Sequence, residues 1–153
     1  MTAPEAESLR VPARSPRQPV WRGQAPVVGV VALGGALGAT ARYAAGLQWP
    51  TPAVGFPWTT LCVNVVGCAL MGVLMVVITE VRSAHRLVRP FLGTGVLGGF
   101  TTFSTYVVDI RRLIDSGRPL VGLAYLAATL VAALAAVWLA ALATRRAMTR
   151  RQR

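Results

Sequence analysis

The residues best suited to chemistry lie together in one stretch, GVLGGFTTFSTY, at positions 95–106. From Thr101 to Tyr106 it carries five hydroxyl side chains around a single phenylalanine, Phe103, and directly before them stands the pair Gly98-Gly99. All of this falls in the centre of an apolar run from Leu87 to Ile114. A glycine pair followed by two threonines favours a helix break, and a break leaves backbone carbonyls and amides without intrahelical partners. In a membrane such backbone is tolerated only where protein buries it or water or an ion satisfies it. Freed carbonyls suit a cation such as Na⁺, whereas the hydroxyls suit an anion as hydrogen-bond donors. The electropositive edge of the Phe103 ring adds attraction for a small anion without a fixed charge. A fixed charge would hold the anion too tightly to let it leave.

Four further positions bear on this stretch. Asn64, within TTLCVNVVGCALMG, is a strong hydrogen-bonding group in an apolar run and is costly unless satisfied. It reads either as interhelical glue or as a donor amide facing a wet or ion-conducting path. Tyr125 and Thr129 are four residues apart and share one helix face, extended by Ala133. Thr129 reads as back-bonded to its own helix, or with Tyr125 as a polar rail. Arg42 reads as a snorkelling helix-end residue in preference to a charge at an anion vestibule. Gly34 and Gly38, at GxxxG spacing, read as close helix packing.

Other chemistries lack their residues. Glu80 and Asp109 lie towards the ends of apolar runs and His85 in a loop, so no acid or histidine is expected at mid-membrane. This argues against proton coupling and towards passive permeation. No Ser/His/Asp set, HExxH or phosphate loop is present, which speaks against an enzyme. Cys62 and Cys68, six residues apart, point to different helix faces and predict neither a disulfide nor a metal clip.

The elements that must position these residues are legible in the composition. Of 153 residues, 54% are hydrophobic and only 14% charged, with mean hydropathy +0.55, more apolar surface than so small a soluble domain can bury. Four apolar stretches, Pro26–Trp49, Trp58–Val81, Leu87–Ile114 and Leu120–Thr144, each exceed the ~20 residues a spanning helix needs. The fold class expected is an all-α membrane protein of four transmembrane helices, the third broken at mid-membrane. Residues 1–25 read as a disordered cytoplasmic tail, 26–144 as the transmembrane domain and 145–153 as a basic cytoplasmic tail. The loops are too short to hold a catalytic domain.

All sixteen cations are arginines, and they flank the apolar segments instead of forming one basic face, which disfavours nucleic-acid binding. Twelve lie in the two tails, the second loop and its border (Arg10, Arg14, Arg17, Arg22, Arg82, Arg86, Arg89, Arg145, Arg146, Arg150, Arg151 and Arg153). Arg111, Arg112, Arg118 and Arg42 lie towards the other side. The bias places both termini in the cytoplasm of a multi-pass protein of the cell membrane.

Together GGALGATARY, TLCVNVVGC and GxxGGFTTFSTY, with the Tyr125-x3-Thr129 face, resemble the fluoride channels known as Fluc or CrcB over residues 27–143. The resemblance implies antiparallel dimers of four-helix subunits with two fluoride pores and one structural, untransported Na⁺ at the dimer centre. It assigns the Na⁺ to backbone carbonyls of Gly98 and Thr101. It assigns the pore to Asn64, Phe103, Ser104, Thr105, Tyr106, Tyr125 and Thr129, with Arg42 as the first-helix arginine. Two positions depart from the family pattern: Tyr106 stands where Phe is usual, and Thr129 where Ser is usual.

A family member encoded alone must insert both ways to pair antiparallel with itself, and a chain with this arginine bias inserts one way. The expectation is therefore a heterodimer with an oppositely oriented paralogous subunit in preference to a homodimer. The role implied is passive export of F⁻ that entered as HF and dissociated in the cytoplasm. The competing class, a small four-helix multidrug exporter, needs an acid in the first span, and Pro26–Trp49 has none. A structural membrane subunit without its own pore is a third possibility, which fluoride efflux would separate from the other two.

Overall fold

The computed structural model describes residues 23–52, 55–80 and 85–151. The expected tail 1–25 lies outside these residues up to position 22, as do position 81, the end of the second expected span, and positions 82–84 of the second loop. Helix α1 (Ala25–Gln48) opens with Pro26 in its first turn, where a missing N–H costs nothing. Helix α2 (Trp58–Glu80) starts directly after Pro57. The third span begins as a π-helix over Pro90–Leu97 and continues as α3 (Gly98–Phe100). After an interruption it resumes as α4 (Ser104–Asp115). Gly117, at φ 73°, turns the chain into α5 (Pro119–Arg151).

Four helical spans are thus long and apolar enough to cross a membrane: Ala25–Gln48, Trp58–Glu80, Pro90–Asp115 and Pro119–Arg150. The fourth outruns its expected end at Thr144. Its 33 residues make about 50 Å of helix against a hydrocarbon thickness of about 30 Å. Arg145, Arg146 and Arg150 therefore ride on a continuation of the helix, so the basic tail is helical as far as Arg151.

The break falls later than the glycines predict. Gly98 sits at φ −64°, ψ −36°, ordinary right-handed helix, and Thr101 is the first residue to leave it, at φ −74°, ψ 158°. Residues 101–103 form the gap, at the middle of the span. The glycines serve packing instead. A Cβ on Gly99 would collide with the Gly35 carbonyl, and one on Gly95 would come within 3.0 Å of Gly34 Cα. A Cβ on Gly34 would lie 2.5 Å from the Phe91 carbonyl oxygen, and one on Gly38 would run into the carbonyl of Val96. Here α1 meets the third span backbone to backbone, which is the use of GxxxG spacing that the sequence suggested.

Two pairs make up the bundle: α1 along the π-helical segment and α3, and α2 along α5, with α4 laid on α5. Gly72 admits the Val137 carbonyl to the α2–α5 contact. Few large side chains are buried (Val63, Val76, Leu97, Leu113 and Tyr125), while Leu33, Leu37, Leu130, Val131 and Trp138 face outward. An apolar exterior around satisfied helices is the pattern that lipid, as solvent, selects. Cys62 and Cys68 are both free thiols.

Candidate functional site

The site is organised by the gap in the third span. Asn64, buried on α2, closes two hydrogen bonds with one residue of the gap. The backbone N–H of Thr102 donates to Asn64 Oδ1 at 2.8 Å, and Asn64 Nδ2 donates to the Thr102 carbonyl at 2.9 Å. Both amide atoms that face the gap are therefore engaged with backbone, which is the interhelical role. Thr102 also closes the start of α4: its Oγ1 accepts the Thr105 N–H at 3.1 Å and donates to Thr105 Oγ1 at 3.1 Å. Ser104 Oγ lies 3.3 Å from the same hydroxyl.

Arg42 corrects the helix-end reading. It is half-buried, and its Nε donates to the Gly99 carbonyl at 3.2 Å, so the guanidinium turns into the bundle towards the break. With Thr59, Thr60, Thr102, Thr105 and Tyr43 it lines an open cavity of about 290 Å³. The hydroxyls of Thr59, Thr60 and Thr102 donate to Trp49, Asp109 and Thr105, so what this wall offers an anion is the rest of the Arg42 guanidinium with the hydroxyls of Tyr43 and Thr105.

On the other side of the gap, Phe103 is 77% exposed, and Ser104 is exposed next to it. The Phe103 ring starts a row of aromatic neighbours. Tyr106 lies 5.8 Å from it centroid to centroid, Tyr125 5.3 Å from Tyr106, and Phe56 5.3 Å from Tyr125 in an edge-on arrangement. Tilted and edge-on pairs present positive ring edges. The Tyr106 hydroxyl, absent from the phenylalanine usual in the resembled family, donates to the Leu126 carbonyl at 3.0 Å and so ties α4 to α5. Tyr106→Phe should lower the unfolding temperature in detergent by an amount matching about 1 kcal/mol. An unchanged melting temperature would mean that this tether contributes nothing.

Tyr125 and Thr129 are fully or nearly buried; the Tyr125 hydroxyl sits against those of Thr60 and Thr129, and among the described residues neither the Tyr125 nor the Thr129 hydroxyl makes a well-formed hydrogen bond. The back-bonded reading of Thr129 is thereby corrected, although Thr40, Thr79, Thr101 and Thr144 do bond to their own helices. Near Tyr125 lies a buried pair that sequence reasoning missed. Thr60 Oγ1 donates to Asp109 Oδ2 at 2.7 Å, and Asp109 is 5% exposed. Asp109 is thus not a surface acid at the end of a span but a carboxylate inside the bundle, with the Arg112 guanidinium at 3.9 Å. The signal was available: Thr60 and Asn64 are four apart on α2, and Thr105 and Asp109 are four apart on α4.

Four apolar spans, the third interrupted by a gap that gathers amide, hydroxyl and aromatic groups, define a multi-pass membrane protein. Residues 29–141 match the family described as CrcB-like protein, Camphor Resistance (CrcB). The Fluoride-specific ion channel FluC 1 of Streptomyces coelicolor is 71% identical over 140 residues, spanning 92% of this chain and 91% of that one. FluC 2 of Streptomyces avermitilis is 67% identical over 137 residues, 85% of each chain. A FluC of Rhizobium etli is 45% identical over 121 residues, 78% of this chain and 95% of its own. The chain belongs to the CrcB family, a family of channels and not of enzymes.

Proposed function

We propose that this chain is a subunit of a fluoride-selective channel that lets F⁻ leave the cytoplasm passively across the cell membrane. The observation that carries the reading is the gap at residues 101–103, where Phe103 and Ser104 stand exposed beside the row of aromatic rings. The 71%-identical relative named for fluoride supports the choice of anion. The pore residues in this reading are Asn64, Phe103, Ser104, Thr105, Tyr106, Tyr125 and Thr129, with Arg42 drawing anions to the cavity beside the gap. Asn64 acts there through the backbone it holds. The inside-negative potential drives efflux at about 2.3 kcal/mol per 100 mV.

The partner is a second subunit in antiparallel orientation, and a paralogue fits better than a copy. Phe103 at 77% exposure is half of a surface that a second subunit would complete. The twelve-to-four arginine asymmetry supports one orientation, with both termini cytoplasmic. Streptomyces avermitilis has at least two such relatives, FluC 2 and FluC 3, at 67% and 47% identity to this chain. At the dimer centre a structural Na⁺ would be held by the carbonyls of Gly98 and Thr101. Both carbonyls lie beside the gap, where the helical hydrogen-bond ladder is interrupted, and oxygen donors of this kind fit Na⁺. When bound, the ion would neutralise the carbonyl dipoles of the broken helix.

Fluoride efflux from liposomes tests the whole reading. The chain co-reconstituted with its paralogue should release trapped fluoride and retain chloride, and the chain alone should release little. Robust efflux from the chain alone would remove the heterodimer, and no efflux from the pair would remove the channel.

A further inference from the structure

We propose that Asn64 and Thr102 are positioning residues that create the cation site by drawing two backbone N–H groups away from the carbonyls of Gly98 and Thr101. The inference rests on the Na⁺ reading above and says how this chain builds the site. In an uninterrupted α-helix each N–H bonds the carbonyl four residues back. The Gly98 carbonyl would receive the Thr102 N–H, the Gly99 carbonyl the Phe103 N–H, and the Thr101 carbonyl the Thr105 N–H. Here the Thr102 N–H goes to Asn64 Oδ1 at 2.8 Å, and the Thr105 N–H goes to Thr102 Oγ1 at 3.1 Å. The Gly99 carbonyl is covered by Arg42 Nε at 3.2 Å. Of these three carbonyls, the two that keep their oxygen for a cation are those whose donors have been diverted by side chains.

The identity of the side chains matters. Asn64 supplies an acceptor for the Thr102 N–H and a donor for the Thr102 carbonyl, so it holds that peptide group from both ends. Leucine at this position could do neither. The Thr102 N–H would then be free to return to the Gly98 carbonyl, and that oxygen would have to give up a hydrogen bond to bind an ion. Valine at position 102 would remove the hydroxyl that caps the Thr105 N–H, so that the Thr101 peptide, held out of the helix at ψ 158°, could turn its carbonyl back towards that N–H. Aspartate at 64 keeps the acceptor, and serine at 102 keeps the hydroxyl.

The test measures cation binding and does not depend on flux. The tagged chain is purified in mild detergent together with the subunit it co-assembles with. Its unfolding temperature is then titrated with NaCl against N-methyl-D-glucamine chloride at constant ionic strength. Wild type should be stabilised by Na⁺. In Asn64→Leu the Na⁺ midpoint should rise by about tenfold, the cost of competing with one re-formed hydrogen bond. Asn64→Asp should titrate at or below the wild-type midpoint. Thr102→Val should shift like Asn64→Leu, and Thr102→Ser should not. Circular dichroism establishes that each variant is helical. A folded Asn64→Leu that titrates at the wild-type midpoint overturns the inference. If Asn64→Leu does not fold, equal midpoints for Thr102→Val and Thr102→Ser overturn it instead. A wild type indifferent to Na⁺ removes the Na⁺ reading itself, and this inference with it.

Discussion

Phe103→Ile, assembled with the partner subunit, should cut fluoride efflux from liposomes by about thirtyfold, taking about 2 kcal/mol for a dry ion–ring interaction. Isoleucine keeps the bulk and the apolar character of the side chain. What it lacks is the positive ring edge, the one property that an anion between hydroxyls can use. The ring is 77% exposed in the single subunit, so its removal deletes little from the subunit core. The neighbouring clamp between Asn64 and Thr102 is untouched by the change. Assembly should therefore survive, and size-exclusion elution alongside the efflux assay checks it. Unchanged efflux would sink the assignment of Phe103 to the pore.

The second large effect is on stability. A Cβ at Gly38 would meet the Val96 carbonyl and lie 2.7 Å from the Phe100 nitrogen, both of them backbone atoms of the third span. Side chains can swing aside, but a helix backbone cannot without losing its own hydrogen bonds. Gly38→Ala should destabilise the subunit by about 3 kcal/mol or more, at the upper end for overpacked cores. Gly35→Ala, on the same helix with nothing within 4 Å of its added Cβ, is the control. It should be neutral or gain up to about 1 kcal/mol from helix propensity. Thermal unfolding of both in detergent decides, and equal melting temperatures would refute the backbone-contact account.

Much of this molecule is legible one residue at a time. The four spans follow from apolar length, and their ends from Pro26, Pro57 and Pro90, each at or beside the start of its helical segment. The close approach of α1 follows from Gly34 and Gly38. The position of the break was less accessible. Gly98-Gly99 reads as the weak point on local propensity, yet both residues are helical and the chain parts at Thr101. The cause lies 38 residues away, where Asn64 offers the Thr102 peptide better partners than its own helix does. No local pattern contains that information. Arg42 and Asp109 show the same limit: each sits towards the end of a span, where charge ordinarily reaches water. Each instead turns inward because a polar atom awaits it, the Gly99 carbonyl for one and the Thr60 hydroxyl for the other.

The glycine-lined contact between α1 and the first half of the third span also constrains how such a channel could be switched. Where two helices touch through side chains, a rotamer change lets one slide past the other. Between Gly34 and Gly38 on one side and Gly95 and Gly99 on the other there are no side chains to rearrange. The two segments can only move as one slab. Any gate would have to be built from α4, which is set apart by the gap and leans on α5 through the Tyr106 hydroxyl. With that slab fixed, sliding of α1 against the third span is not a way to open or close a pore, and discrimination among ions would rest on the shape and chemistry of the walls.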